Sequence, residues 1–403
     1  MKTVPLMRAV DLNPKPDRSL LTDDTEVSFV PMAAIEAASG RIDTSTIRPY
    51  AEVKKGYTHF RNGDILFAKI TPCMENGKMA VAHGLRNGVG LGSTEFHVLR
   101  PREGTDPHYV YHFVSSGRYR SDAAHHMTGA VGQRRVPISF LENSKIPLPD
   151  VDEQRRIVAE IEKQFSRLDE AVACLKRVKA KLKRYKAAVL KAAVEGRLVP
   201  TSSEWRTVKL SDVANVVDPH PSHRTPSTFP DGVPYIGIGD FTVDGDAARK
   251  SARKVSPTVL EEHHARYRLR EGDFIFGKIG TLGRPVSLKA PFDYALSANV
   301  VLIQPDNSKM HSSFALAYMA SPLMSSLLSR EARATTQAAF GIKRVRDLHV
   351  PLPSIDEQHS IVAEVDRRLS IAREVEAEVE ANLKRAQVLR QAVLSKSFQV
   401  SPS

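Results

Sequence analysis

The sequence predicts an α+β protein: two pseudo-repeated globular domains, separated by two long helices that form an antiparallel coiled coil. Three observations predict it. A segment recurs 204 residues later without a gap, heptad-spaced apolar residues follow each copy, and short β-type runs lie between turn signals in the globular parts.

The repeat is read from matched anchors. Ile146-Pro147-Leu148-Pro149, Asp152-Glu153-Gln154 and Ile157-Val158-Ala159-Glu160 return as Val350-Pro351-Leu352-Pro353, Asp356-Glu357-Gln358 and Ile361-Val362-Ala363-Glu364. The same offset links Ile138 to Ile342, Gln133 to Gln337 and Ser93 to Ser297, and Val4 and Leu6 to Val208 and Leu210. Upstream the register slips: Gly63-Asp64-Ile65-Leu66-Phe67 matches Gly272-Asp273-Phe274-Ile275-Phe276, and Val27–Val30 matches Val233–Ile236. Insertions of a few residues between shared anchors are what loop variation on a common scaffold produces.

The segments after the anchors read as helices. Pro147 and Pro149 cannot continue into a helix interior, and Asp152 and Glu153 carry the negative charge that a helix N-terminus favours. In the first segment Val158, Phe165 and Val172 fall at heptad position a, and Ile161, Leu168, Leu175, Leu182 and Val189 at d. In the second, Val362, Leu369 and Leu383 fall at a, and Val365, Ala372, Val379, Ala386 and Val393 at d. No glycine or proline interrupts either helix before Gly196 and Pro402. Each should run about 37–45 residues, roughly 55–65 Å at 1.5 Å per residue. Polar a positions can set register, and an antiparallel, centred pair would place Lys179 near Glu376.

The globular regions, 1–149 and 198–353, read as mixed. Asp64–Ala68, Phe96–Leu99, Phe274–Gly277 and Asn299–Ile303 look like strands. Pro107–Ser116 and Ser313–Ser329 look helical.

Composition bounds the chemistry. Among 403 residues, 58 Lys and Arg outnumber 46 Asp and Glu, a net charge of +12 that favours a polyanionic partner. An aromatic fraction of 6% points away from binding by base stacking. Cys73 and Cys174 are too few for a disulfide framework or a thiolate metal site, and packing roles are expected for both. The opening residues are too polar for a signal peptide and no apolar run is long enough to span a bilayer, so the cytoplasm is the expected location.

Catalytic signals are poor. Gly272–Lys278 mimics a phosphate-binding loop, but Ile279 stands where a magnesium-binding hydroxyl belongs, and the segment reads better as a strand. His125-His126, His263-His264, His220 and His223 lack the spacing of a zinc site. Asp218-Pro219-His220-Pro221 and Asn13-Pro14-Lys15-Pro16 resemble the Asn/Asp-Pro-Pro-aromatic strip of a base methyltransferase only loosely. No catalytic residue, bound cofactor or metal is expected.

The basic residues are more informative. From Lys176 to Lys191 the first helix carries eight cations and no acid, either a solvated face or a stripe turned to phosphate or an acidic partner. In the globular halves Lys69, Lys78, Arg134 and Arg135, and their counterparts Lys278, Arg284, Lys343 and Arg344, recur near the matched anchors. As a set in two equivalent regions they are the candidate DNA contacts, since Arg reads guanine and both Lys and Arg grip phosphate.

The strings GDILFAKITPCMENGK, GLGSTEFHVLRP, IPLPDVDEQRRIVAEIEKQ and VPLPSIDEQHSIVAEVDRR resemble the specificity subunit of Type I restriction–modification systems, over essentially the whole chain. Trp205 with Leu210-Ser211-Asp212-Val213 resembles the start of a target-recognition domain, and the first half departs by lacking the Trp. The resemblance implies target-recognition domains over 1–149 and 198–353, a central spacer helix over 150–197 and a C-terminal one over 354–403. It implies that each domain reads half of a bipartite, asymmetric site in double-stranded DNA. It implies two methyltransferase (modification) subunits as partners and, in some systems, restriction subunits, with S-adenosylmethionine, ATP and Mg²⁺ bound by those partners. Two other classes stay open on the residues alone: a self-contained methyltransferase or nuclease, and a coiled-coil scaffold that binds only proteins.

Overall fold

Each half of the chain is built around a short strand that is apolar at every position. The computed structural model describes the chain apart from residues 1, 18, 20, 131, 202–203, 221–223, 243–245, 278–284, 334–340 and 400–403. It divides into two units, Met1–Leu175 with Ala381–Ser403, and Lys176–Glu380.

In the first unit Ile65–Ala68 is a central strand, paired antiparallel with Phe96–Pro101 and Met79–Val81, and Val10–Leu12 closes the sheet beyond Phe96–Pro101. Side chains alternate across a strand, so burial on both faces requires a continuous apolar run. Ile65 and Phe67 join a core with Tyr109 and Val110, whereas Leu66 and Ala68 join a second core with Val30, Ile35 and Phe60. A second, mixed sheet runs Ile47–Pro49, Glu26–Val30, Val89–Gly92, Thr58–Arg61, with Glu26–Val30 and Val89–Gly92 parallel.

The second unit repeats the plan. Phe274–Gly277 lies between Val300–Pro305 and Pro285–Ser287, with Ala214–Val217 at the edge. Phe274 and Phe276 face one core and Ile275 another. Val233–Ile236 pairs in parallel with Ala295–Leu296, as its counterpart does in the first unit. The Gly-Asp before each central strand is a turn device. Gly63 and Gly272 have φ of +89° and +87°, a region glycine tolerates without cost, and the buried Asp64 and Asp273 accept from the backbone N–H of Arg61 and Arg270 at 2.9 and 3.0 Å.

The expected strands are present within a residue or two at their ends. Pro107–Ser115 is a helix, capped by Asp106, whose carboxylate accepts from His108 and Tyr109 N–H. The helical stretch expected near Ser313–Ser329 is present as two helices, Ser312–Met319 and Pro322–Arg333, with Pro322 opening the second. Within Gly272–Lys278, Phe274–Gly277 is strand, while Lys278 and Ile279 lie outside the described residues.

The long helices span Val151–Val194 and Ile355–Ser397, 44 and 43 residues. Every expected packing position along them is buried or half-buried. In the first unit Ile161 and Phe165 cluster with Leu394, flanked by Leu168 and Val393. Several of these positions do more than join helix to helix: Val158 enters the first unit's globular core, and Val189 and Val365 enter the second's, with Val362 and Leu369 against it.

The helices pair antiparallel, but the expected register needs correcting. Lys179 Nζ meets Glu380 Oε1 at 2.8 Å, and Glu376 is taken by Lys186 at 2.6 Å. Arg390 binds Asp169 at 2.7 Å, its guanidinium 3.9 Å above the Phe165 ring. The offset is one to two helical turns (380 − 376 = 4 residues for Lys179, 186 − 179 = 7 for Glu376), a slide that keeps the apolar stripes facing each other.

Candidate nucleic-acid interface

In both units a glutamine fixes the long helix to the globular part, and in the first unit basic side chains gather at one end of the sheet. The glutamine explains the recurring Asp-Glu-Gln. Gln154 is fully buried: its Oε1 accepts from Asp106 N–H at 2.9 Å, and its Nε2 donates to the carbonyls of Gly104 at 3.1 Å and Pro149 at 2.9 Å. Gln358 does the same with His311 N–H at 2.7 Å and the carbonyls of Lys309 and Pro353, both at 3.0 Å. Upstream, Asp150 accepts from Glu153 N–H at 2.9 Å, and Ser354 and Glu357 form a reciprocal cap, so each helix start is closed by side chains. Sequence reasoning saw the motif without seeing this role; the exact recurrence of the Gln was the signal.

The basic candidates of the first unit divide by partner. Arg135 is engaged: Nε and Nη2 donate to Glu95 at 2.9 and 2.8 Å, and Nη1 donates to the Gln133 carbonyl at 3.1 Å. That hydrogen-bonded pairing holds the Glu95 carboxyl below its ordinary range and raises Arg135. Lys78 is half-buried and its ammonium donates to the Met32 carbonyl at 3.0 Å, which ties a loop together. Arg134 is exposed, and among the described residues its ion-pair contact is a long one, 4.0 Å to Glu75. Lys69 is half-buried beside this cluster, its carbonyl accepting from Val136 N–H at 2.8 Å and its N–H donating to Glu95 O at 2.9 Å. Lys69, Arg134 and Arg135 therefore share one end of the sheet, where Ile70 and Thr128 both bridge to Arg135.

In the second unit Lys343 and Arg344 are exposed on the short helix Ile342–Arg346, and Lys278 and Arg284 lie outside the described residues, as do Gln337 and His223. Arg346, absent from the expected set, donates to the Val216 carbonyl through Nε at 3.1 Å and Nη2 at 2.8 Å. Trp205 packs edge-on against Phe314 at 6.2 Å, closing the unit's core.

The histidines also separate. His263 is buried and its pKa is pushed down to about 4, first by burial and then by His220, Arg266 and His264. Its Nδ1 faces the Tyr267 hydroxyl at 2.9 Å and its Nε2 faces His220 Nδ1 at 3.2 Å. His125 and His126 are exposed. Among the described residues no group of three or more His, Cys, Asp or Glu could hold a metal ion, and no helix is long and apolar enough to cross a membrane. Cys73 and Cys174 are both free.

Comparison with known proteins meets this arrangement at both levels. The family described as Type I restriction modification DNA specificity domain matches twice, over residues 10–184 and 202–385. The specificity subunit of the Type I restriction enzyme EcoAI of Escherichia coli is 43% identical over 166 residues, 41% of this chain and 28% of that one. The EcoBI specificity subunit of Escherichia coli is 26% identical over 291 residues, 67% of this chain and 61% of that one. The chain thus spans less than two thirds of the length of these relatives. In fold it is similar to a chain from a structure described as the basis of complex assembly and conformational transition of the type I R-M system. There the TM-score is 0.78 at 21% identity, with 99% of this chain and 97% of that one covered. The HsdS subunit from Thermoanaerobacter tengcongensis gives a TM-score of 0.57 at 21% identity, over 98% and 96% of the two chains. Two matched domains, covering most of the sequence and each ending in one of the paired helices, make this chain a member of the Type I restriction modification DNA specificity family.

Proposed function

We propose that the chain is the DNA-reading subunit of a Type I restriction–modification complex. Each globular half reads one part of a bipartite, asymmetric site in duplex DNA. The paired helices set the distance between the two parts and dock two modification (methyltransferase) subunits. In this reading the chain has no catalytic centre, S-adenosylmethionine, ATP and Mg²⁺ bind to the modification and restriction subunits, and the complex works in the cytoplasm. Residues 1–149 and 198–353 are the recognition domains, and 150–197 and 354–403 the spacer helices.

One observation carries the reading: the same α+β unit occurs twice, each copy fixed to an antiparallel helix by the same buried glutamine. Two equivalent heads on a stiff connector suit two separated stretches of one duplex, and heads that differ in sequence suit half-sites that differ. The test is co-expression with a Type I modification subunit, followed by sequencing of modified adenines. A split, asymmetric motif methylated in both parts is the expected result. Methylation at a continuous motif, or methylation that is unchanged without this chain, would overturn the proposal.

A further inference from the structure

The basic cluster at the sheet end of the first unit contains two adjacent arginines in unlike states, and the difference assigns them different work. Thr128 and Arg135 pair as an antiparallel bridge at the base of a hairpin in which Val131 lies outside the described residues. Thr128 and Arg135 exchange backbone hydrogen bonds at 3.0 and 2.8 Å, and Thr71 N–H donates to the Arg134 carbonyl at 2.9 Å. Gly129 and Gly132 take φ of +117° and +82°, which turns the chain sharply. A side chain at Gly129 would also meet the Gln133 carbonyl at 3.0 Å. The base of the hairpin is locked from outside by the two-pronged Arg135–Glu95 pair. Gly129, Ala130, Gly132, Gln133 and Arg134 are exposed at its tip.

A base held this firmly would present the Arg134 side chain beside it without a large ordering cost on binding. Arg135 has its donors directed inward. Arg134 does not: Glu75, 4.0 Å away, already accepts from the Thr71 hydroxyl at 3.0 Å. The repeat adds an independent observation. Gln133 recurs as Gln337, but Arg134 and Arg135 are replaced by Ala338 and Ala339. The glutamine is common to both halves, but arginines stand directly after it in the first alone, and the basic pair of the second half, Lys343 and Arg344, comes further along the chain. A feature present in one half only is what distinguishes one half-site from the other.

We propose that this hairpin is a base-reading finger of the first half, in which Arg134 contacts a guanine edge in the major groove while Arg135 and Glu95 act as positioning residues. This deepens, and rests on, the DNA-specificity reading above. The planar guanidinium matches the paired acceptors of guanine O6 and N7 with a fixed fork, whereas a lysine offers them a single rotatable ammonium that holds the geometry less well.

The experiment assembles the full chain with modification subunits and selects bound duplexes from a library of random sequence, for wild type, Arg134→Ala, Arg134→Lys and Glu95→Gln. Both Arg134 variants should lose preference for guanine at one position of one half-site, by about tenfold or more, and leave the other half-site unchanged. Glu95→Gln should relax the same position, and the swap Glu95→Arg with Arg135→Glu should restore it. An unchanged profile overturns the assignment. So does a weakening that is uniform over all sequences and rescued by Arg134→Lys, because that is a phosphate contact. If the wild-type complex selects no sequence at all, the DNA-specificity reading fails and takes this assignment with it.

Discussion

Gln154 and Gln358 make the case for the single residue. Each uses one acceptor and two donors on main-chain groups that lie far apart in sequence, inside a site closed to water. Replacing Gln154 by Leu leaves those groups unpaired, at a cost of about 3 kcal/mol. Gln154→Glu should cost at least as much, because a carboxylate would face two carbonyl oxygens. Denaturant unfolding of the purified chain or complex checks both, and a loss under about 0.5 kcal/mol would refute the role. His263 yields a second prediction. Its folded pKa, about 4, lies below the ordinary 6.5, so the folded state binds fewer protons than the unfolded chain across that range. The stability it contributes is fully present above about pH 6.5 and is lost as the pH falls toward 4. Both ring nitrogens of His263 are engaged, Nε2 by His220 Nδ1 at 3.2 Å and Nδ1 by the Tyr267 hydroxyl at 2.9 Å. The unfolding midpoint should therefore fall between neutral pH and pH 5, and His263→Gln should flatten that slope. Equal slopes in the two proteins would refute the assignment.

At the scale of the element, the long helices were legible and their register was not. The heptad residues are spaced so that a slide of one to two turns keeps the apolar stripes facing each other, which makes periodicity blind to the offset. The ion pairs then choose: Lys186 with Glu376, and Lys179 with Glu380. The Lys186 and Glu376 side chains are only 30% and 28% exposed, so their pairing should be measurable where open surface pairs are not. A double-mutant cycle of Lys186→Met and Glu376→Gln should give a coupling of about 0.5–1 kcal/mol, and the same cycle on Lys179 and Glu376 close to zero. A larger coupling for Lys179 with Glu376 than for Lys186 with Glu376 would place the register where the sequence alone suggested, and equal couplings would refute the choice made by these ion pairs. The strands show the opposite balance. Phe274–Gly277 was readable because burial on both faces demands an unbroken apolar run, and that demand is visible in sequence. Arg135 and Lys78 read as DNA contacts because a basic side chain looks alike whether it faces solvent or an internal acceptor. Only the Glu95 carboxylate and the Met32 carbonyl distinguish the cases.

For the whole molecule, duplication was the legible feature, because the anchors around each glutamine recur at a constant offset while the loops between them drift. Anchors keep their spacing where they bridge the helix to the globular part, and loops vary where the repeated sheets leave them free. On the proposed function, half-site identity and half-site spacing are carried by different parts of the chain, and a deletion can divide them. Removing residues 172–178 from the first long helix and 381–387 from the second takes one heptad from each and leaves Asp169–Arg390 and Lys179–Glu380 available to re-form. Seven residues turn a helix through nearly two full turns, with a residual of about 20°, so the apolar stripes stay aligned. The rod shortens by about 10 Å, close to three base pairs along a duplex. The methylated motif of the deletion complex should keep both half-sites and lose about three base pairs between them. Sequencing of modified adenines in cells that carry the deletion reads this directly. Unchanged spacing would mean that the helices do not measure the gap, and altered half-sites would mean that recognition is not confined to the globular units.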